Sequence, residues 1–216
     1  GKLTFIAQTE ALGYGHAVLC GRDFAEGQPI LLQVSDHLYV SQSAKSCTRQ
    51  LLDVAEAEAC AVSAVQPTHE SQLQYYGTVG GSLVSGRRGL TAIERVFEKP
   101  TPTVAEQHCL LPGLRAGYYL CFFGMHVLTP ALFALLAAER QANSDAKIGL
   151  SPALNALAAR EKYLAAVLDG RRSNLEASFG LLRAQITLGL NGASRADVLA
   201  LLAEELALAA EVNRTA

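Results

Sequence analysis

The feature that most constrains the fold of this chain is a short apolar run over residues 30–32, which Val34 extends and the turn residues Gly27 and Pro29 precede. A half-exposed strand alternates apolar and polar residues, so an unbroken run is typical of a strand buried on both faces of a parallel sheet. The run stops abruptly before Asp36. Ligands of open α/β sheets bind beyond the carboxyl ends of the strands. Asp36 therefore either lies at the mouth of a ligand-binding crevice or merely turns the chain after a core strand.

Strand-like and helix-like segments alternate along the first part of the chain, which predicts an α/β fold with right-handed parallel crossovers. Residues 3–8 and 60–65 are predicted to be short buried strands, and residues 43–58 have apolar residues at helical spacing. Residues 78–84 and 90–96 flank a glycine-rich turn and predict a β-hairpin. The predicted fold is thus a Rossmann-like, mostly parallel sheet with flanking helices, plus a β-hairpin and a C-terminal helical segment.

The later part of the chain contains two cap-and-proline signals and ends in a leucine-rich helix. Thr129 and Ser151 are each followed by a proline, the pairing that favours a helix N-cap and first helical position. Residues 163–168 predict another strand. We expect one α/β domain over residues 1–192 and a separate C-terminal helix over residues 193–216, which is a candidate oligomerisation element.

Composition and charge disfavour several classes of protein. The formal net charge is −2 and 18% of the residues are charged, so no basic excess indicates a nucleic-acid partner. Polar residues break the apolar stretches before they reach the length of a bilayer, so we expect no membrane partner. The five cysteines are an odd number without a C-x-x-C motif. They predict reduced thiols, a cytoplasmic location and no zinc site.

Two short motifs each allow a structural and a functional interpretation. Gly13 and Gly15 let the backbone approach a ligand closely, or they simply form a tight turn. Glu98 and Lys99 form either a solvated ion pair or a ligand-binding pair. Pro100 follows them and is expected to force Lys99 into an extended conformation.

Several separated motifs occur in one characteristic order. They are Gln8 with Gly13 five residues later, the strand that ends in Asp36, Tyr76-Gly77, Phe97-Glu98-Lys99-Pro100, Ala116-Gly117-Tyr118-Tyr119-Leu120, and Gly170-Arg171-Arg172-Ser173-Asn174. In this order and spacing the chain resembles the bacterial UTP–glucose-1-phosphate uridylyltransferases, or UDP-glucose pyrophosphorylases, of the sugar-phosphate nucleotidyltransferase superfamily. The resemblance covers nearly the whole chain and corresponds to the portion after the family's N-terminal glycine-rich loop.

The resemblance implies that a sugar 1-phosphate attacks the α-phosphorus of UTP and that pyrophosphate leaves. Such chemistry depends on positioning and charge neutralisation, to which a magnesium ion contributes. The resemblance also implies a role for each matching residue: uracil contacts for Gln8 and Gly13, sugar-hydroxyl contacts for Gly77, Glu98 and Gly117, the sugar phosphate for Lys99, and magnesium for Asp36 and position 174. Asp36 and Lys99 are the predicted catalytic residues.

The sequence departs from the family pattern in three places. The Gly-x-Gly-Thr-Arg loop that cradles the triphosphate is absent, so the sheet is expected to be incomplete at its N-terminal side. Asn174 stands at the position of a second metal-binding carboxylate, and Glu176 stands where a glycine is expected. Lys147 replaces an acidic residue. These departures predict that the chain alone is inactive or impaired.

Two alternatives to an active transferase remain open. One is a catalytically dead module that still binds a nucleotide sugar, and the other is a structural assembly module without a ligand. The expected partners are a nucleotide sugar or sugar phosphate and further copies of the chain. In the predicted C-terminal helix, Leu199, Leu202 and Leu206 recur at helical spacing and could form the contact between copies.

Overall fold

A computed structural model describes residues 2–143 and 146–215, and the side chains through residue 210. In chain order the strands are β1 Ile30–Gln33, β2 His37–Ser41, β3 Ala61–His69, β4 Thr78–Leu83, β5 Leu90–Phe97, β6 Tyr118–Leu128, β7 Tyr163–Val167 and β8 Gly170–Asn174. The α-helices are α1 Tyr14–Cys20, α2 Arg22–Ala25, α3 Cys47–Glu58, α4 Pro102–His108, α5 Ala131–Ala142, α6 Leu150–Ala158, α7 Gly180–Asn191 and α8 Arg195–Thr215. A 3₁₀ helix covers Glu70–Tyr75. Among the described residues, no helix is both long enough and apolar enough to cross a membrane.

The contacts divide the chain into two compact units. Unit 1 comprises Gly1–Gln33 and Thr48–Leu168, and unit 2 comprises Val34–Cys47 and Asp169–Ala216. Unit 2 contains the two-stranded β2–β8 sheet and the helices α7 and α8. Unit 1 contains a six-stranded sheet and the helices that pack against it.

The sheet of unit 1 has the strand order β1-β6-β3-β7-β5-β4. Four strands, β1, β3, β4 and β7, run in one direction, whereas β5 and β6 run in the other. The predicted α/β class and the β4–β5 hairpin are therefore confirmed. The strands that run in the same direction are mostly separated by an opposed neighbour, so β3 and β7 form the one adjacent parallel pair among the described strands.

Two of the predicted buried strands are not found as expected. The apolar run forms β1 at the end of the sheet, where it pairs with β6 alone, and its residues alternate between half-buried and exposed. Leu31 is 38% exposed and lines a surface cavity together with Leu52 and Ala55 of α3. Residues 3–8 are irregular and exposed, since no described strand supplies them with a hydrogen-bonding partner. An apolar run predicts a strand only where another strand is available to pair with it.

A buried polar network crosses the middle of the unit 1 sheet. Ser63 Oγ on β3 lies 2.6 Å from His126 Nδ1 on β6 and also hydrogen-bonds the Tyr163 hydroxyl on β7. Burial lowers the pKa of His126 to about 4 and raises the pKa of Tyr163. Both side chains are therefore neutral at pH 7, and Ser63 Oγ, His126 Nδ1 and the Tyr163 hydroxyl satisfy one another, as buried polar groups require.

A second polar cluster joins three separate elements at the sheet surface. Glu58, at the end of α3, lies 2.8 Å from Lys162 Nζ and 2.5 Å from Arg87 Nη2. The hydrogen bond from Lys162 lowers the pKa of Glu58 and in turn raises the pKa of Lys162. Because Arg87 lies in the hairpin turn and Lys162 just before β7, this carboxylate links the helix to both strands.

Candidate functional site

The hairpin brings two of the predicted sugar-binding residues to one place. Thr78 on β4 is opposite Phe97 on β5. Gly77 and Glu98 lie one residue beyond this pair on their respective strands, so both are at the same end of the hairpin. The Gly77 carbonyl also accepts a hydrogen bond of 2.8 Å from the backbone N–H of Phe122.

Helix α6 holds this end of β5 through two side chains on one face. Ser151 Oγ donates to Glu98 Oε2 at 2.5 Å, and Asn155 Oδ1 accepts from the backbone N–H of Val96 at 2.9 Å. Ser151 and Asn155 are four residues apart and therefore lie above one another on the helix. Ser151 is 8% exposed, whereas the Glu98 side chain is 55% exposed. The prediction that Ser151 caps this helix is wrong, because the helix begins at Leu150 with Gly149 as its N-cap.

Only glycine fits at position 77. A Cβ atom there would lie 2.7 Å from Phe122 Cδ2 and 3.4 Å from Ser151 Oγ. A Cβ atom does not come within 2.7 Å of a neighbouring carbon, so a side chain at position 77 would displace Phe122. Gly77, Glu98 and Ser151 thus form one compact cluster, in which a single buried hydroxyl neighbours both of the residues predicted from sequence.

Lys99 has a left-handed backbone rather than the extended one that Pro100 predicts, with φ of +47°. The chain turns sharply here, since Thr101 already caps α4 by accepting a hydrogen bond from the backbone N–H of Val104. Lys99 Nζ lies 3.9 Å from Glu98 Oε1, and its side chain is 56% exposed. Non-glycine residues in the left-handed region cluster at functional sites, so the conformation favours a binding role.

Gly117 lies where the chain enters β6, with φ of +75°. Its carbonyl accepts a hydrogen bond of 2.9 Å from the backbone N–H of Glu70. A Cβ atom at this position would have Glu70 Oε2 at 3.8 Å and His69 Nε2 at 3.9 Å as near neighbours. Gly117 therefore packs beside the end of β3, and its described contacts are with that strand end rather than with Glu98.

The residues predicted to contact uracil are also close to each other. Gln8 Nε2 donates to the Gly13 carbonyl at 3.0 Å and lies 2.9 Å from His16 Nδ1. Gly13 has φ of +96°, and a Cβ atom there would lie 2.5 Å from the carbonyl oxygen of Ile148. The absence of a side chain at Gly13 therefore lets this loop lie close to the backbone of Ile148. Ile148 N donates to the Leu12 carbonyl at 2.8 Å, which completes this pairing.

A four-residue segment connects the two groups of predicted binding residues. Ile148 contacts the loop that contains Gly13, and Ser151 contacts Glu98. Sequence reasoning missed this segment because the Ser-Pro pair was assigned to helix capping. The available signal was Asn155, which follows Ser151 at the spacing of one helix face.

The two predicted metal ligands are neighbours in unit 2. His37 is opposite Asn174 in the β2–β8 ladder, and the backbone N–H of Leu175 donates to the Asp36 carbonyl at 2.9 Å. Asn174 Oδ1, however, accepts a hydrogen bond of 2.9 Å from the backbone N–H of Glu176. Mg²⁺ is usually held by carboxylates and substrate phosphates. One carboxylate and an amide oxygen that already accepts a backbone hydrogen bond bring less negative charge to this position than the carboxylates and phosphates that usually hold Mg²⁺.

The remaining described residues do not offer an alternative metal centre. No group of three or more His, Cys, Asp or Glu side chains is placed to hold an ion in the part of the chain that the structure describes. The cysteines are free thiols, and burial raises the pKa of Cys109 to about 12. Such a thiol stays protonated at neutral pH and is a poor metal ligand or nucleophile.

Comparison with known proteins identifies similar sequences and similar structures. The UTP–glucose-1-phosphate uridylyltransferase of Streptococcus pneumoniae is 29% identical over 192 residues, which are 88% of this chain and 60% of that protein. The UTP–glucose-1-phosphate uridylyltransferase YngB of Bacillus subtilis is 28% identical over 190 residues, with 88% and 58% coverage. No family model matches the sequence. The chain thus spans about 60% of the length of these curated relatives.

Solved structures share the fold. A UDP-glucose pyrophosphorylase complexed with UDP-glucose superimposes with a TM-score of 0.72 at 22% identity, and covers 85% of this chain and 64% of its own. A UTP-bound pyrophosphorylase from Acinetobacter baumannii gives a TM-score of 0.71 at 22% identity, with 92% and 64% coverage. Together with the sequence relatives, these structures confirm the resemblance of this chain to the bacterial UTP–glucose-1-phosphate uridylyltransferases.

Proposed function

We propose that this chain forms the sugar-nucleotide-binding portion of a UTP–glucose-1-phosphate uridylyltransferase. The observation that carries the proposal is the segment over residues 148–151. It contacts the Gly13 loop at one end and Glu98 at the other, and so joins the proposed uracil-binding residues to the proposed sugar-binding residues within unit 1. The similarity to uridylyltransferases over 88% of the chain supports the choice of ligand.

Each proposed role suits the chemistry of its residue. Glu98 has an exposed carboxylate that can accept hydrogen bonds from sugar hydroxyls, and Gly77 and Gly117 are proposed to contact the same sugar through their backbone atoms. Lys99 is a compact cation suited to the sugar phosphate. Gln8 offers an amide for a base edge, with Gly13 beside it.

In the proposed reaction, a phosphate oxygen of glucose 1-phosphate attacks the α-phosphorus of UTP and pyrophosphate leaves. Lys99 stabilises the charge on the attacking phosphate, while Glu98 and the glycines orient the sugar, which is the kind of positioning that accelerates an in-line displacement. The role of Asp36 stays a prediction, as does magnesium. Asp36 offers one carboxylate to a cation, but the Asn174 oxygen is engaged by Glu176.

That engagement of Asn174 favours a second candidate function, a nucleotide-sugar-binding module that does not catalyse transfer. The two candidates differ in turnover. Release of pyrophosphate from UTP and glucose 1-phosphate in the presence of Mg²⁺ would support the transferase. Binding of UDP-glucose without pyrophosphate release would support the binding module.

The experiment that tests ligand binding is calorimetric titration of the protein with UDP-glucose. We expect a saturable heat for the wild type and at least tenfold weaker binding for Lys99→Ala, because a phosphate contact is lost. Lys45→Ala removes the same charge from unit 2 and is the matched control. Equal affinities of the wild type and Lys99→Ala would show that Lys99 does not hold the phosphate.

Self-association through α8 is a separate proposal. Leu199 and Leu206 are exposed on this helix and Leu202 is half-buried, so the leucines present apolar surface. Light scattering coupled to gel filtration should give the mass of a dimer, and Leu206→Glu should reduce it. A monomer mass at high protein concentration would contradict the proposal.

The division at residue 192 and the cytoplasmic location stay predictions.

A further inference from the structure

We infer that Ser151 is a positioning residue, which orients the Glu98 carboxylate and thereby sets the preference of the site for a hexosyl nucleotide over the bare nucleotide. The inference rests on the proposed function, because Glu98 is the residue proposed to receive the sugar hydroxyls. It assigns a role to a side chain that the sequence motifs do not include.

The two residues that form this hydrogen bond differ strongly in solvent exposure. Ser151 is 8% exposed, whereas the Glu98 side chain is 55% exposed. An exposed glutamate normally samples several rotamers, and ordering it opposes binding. The Ser151 hydroxyl has one proton and donates it to Oε2 at 2.5 Å, while Oε1 lies 3.9 Å from Lys99 Nζ. The two carboxylate oxygens therefore have different neighbours, which defines the orientation of the group.

The donor itself is held rigidly. Ser151 lies in the first turn of α6, and the neighbouring residues Leu150, Leu154 and Leu157 are buried in the core of unit 1. Asn155 ties the same helix face to the backbone of Val96, two residues before Glu98. The serine is therefore fixed relative to the strand that carries its partner. A ligand-binding side chain that is held in place by a second, well-packed residue is pre-organised, so less binding free energy is lost in ordering it.

The cluster also predicts which ligands should respond to Ser151. Gly77 borders the hydroxyl, since a Cβ atom at position 77 would lie 3.4 Å from Ser151 Oγ. Both of the sugar-binding residues proposed at this hairpin end thus adjoin Ser151, whereas Gln8 and Gly13 contact Ile148 and His16 instead. Loss of the hydroxyl should therefore weaken binding of UDP-glucose and leave binding of UDP unchanged.

The test is a double-mutant cycle measured by calorimetry with UDP-glucose and with UDP. The proteins are the wild type, Ser151→Ala, Glu98→Ala and the double variant, with Ser151→Thr as the conservative variant that keeps the donor. We expect Ser151→Ala to weaken UDP-glucose binding ~10-fold relative to UDP, and to have no further effect in the Glu98→Ala background. Ser151→Thr should restore the preference. Ser63→Ala, which removes another buried hydroxyl of unit 1, is the matched control and should keep the wild-type preference for UDP-glucose over UDP.

Each other outcome overturns the inference in a distinguishable way. An equal loss for UDP and UDP-glucose, or a loss that adds to that of Glu98→Ala, would mean that Ser151 acts only through the fold. A wild type that binds both ligands equally would overturn the sugar subsite of the proposed function, and the inference with it. Thermal unfolding of each variant establishes that it is folded at the titration temperature.

Discussion

Ser63 and Ser151 are both buried serines of unit 1, yet their hydroxyl groups hydrogen-bond partners of different kinds. Ser63 is fully buried and hydrogen-bonds His126 and Tyr163, which are buried with it. Ser151 hydrogen-bonds Glu98, whose side chain is mostly exposed. The first arrangement satisfies polar atoms that water cannot reach, so it contributes to stability. The second orients a group that remains accessible, so its effect should appear in ligand binding.

The largest expected effect is a loss of stability in acid through His126. Burial lowers the pKa of His126 to about 4 in the folded protein, below its ordinary value of 6.5. The unfolded chain therefore binds the proton first as the pH falls. The stabilisation is fully present above pH 6.5 and is lost between pH 6.5 and about 4, by about 3 kcal/mol.

Urea denaturation at pH 7, 5 and 4 measures this loss, and His126→Gln is the comparison variant. Other groups also titrate in this range, so the relevant quantity is the difference between the wild type and the variant. That difference should shrink as the pH falls. If it stays constant from pH 7 to pH 4, His126 is not held neutral by burial.

The next largest effect is expected for Gly77→Ala, which tests the packing of the cluster formed by Gly77, Glu98 and Ser151. The new methyl group would meet Phe122 at 2.7 Å, so the free energy of unfolding should fall by about 1–3 kcal/mol. Gly86→Ala shows the cost of backbone strain alone, because its φ is +69° and nothing lies within 4 Å of a Cβ atom there. Chemical denaturation measures both losses, and an unchanged free energy of unfolding in Gly77→Ala would contradict the steric account.

Ser63→Ala should reduce stability by about 1–2 kcal/mol, because His126 and Tyr163 each lose a hydrogen-bond partner in a buried site. The relative affinity for UDP-glucose and UDP should not change. Thermal unfolding and calorimetry on the same preparation measure both properties. A changed ligand preference in Ser63→Ala would remove the distinction between the two serines.

The smallest expected effect concerns the metal-ligand positions of unit 2. Asn174→Asp adds a second carboxylate beside Asp36, and we expect it to tighten Mg²⁺ binding about tenfold, because more negative ligands raise cation affinity. Asn191→Asp adds the same charge at the end of α7 and is the control. If Mg²⁺ titration shows the same affinity for Asn174→Asp and the wild type, position 174 does not contribute to a cation site.

Short sequence patterns correctly predicted the elements that depend only on residues close together in the chain. The glycine-rich turn predicted the β4–β5 hairpin, and its register explains why Gly77 and Glu98 meet. The edge position of β1 depends on which strands are available to pair, which an apolar run does not encode. The hydrogen bond of Ser151 depends on α6 beginning two residues earlier than the Ser-Pro pair predicts. The orientation of the Asn174 amide likewise depends on the turn that follows it, where Glu176 N–H is its donor.

The central claim is that the sugar nucleotide binds at the end of β5 and beside the start of α6. Hydrogen exchange measured by mass spectrometry, with and without saturating UDP-glucose, tests it directly. We expect protection in peptides that cover residues 75–82, 94–100 and 147–152, and unchanged exchange around Ser63 in β3. Protection confined to other segments, or none at a ligand concentration that saturates the calorimetric signal, would contradict the account.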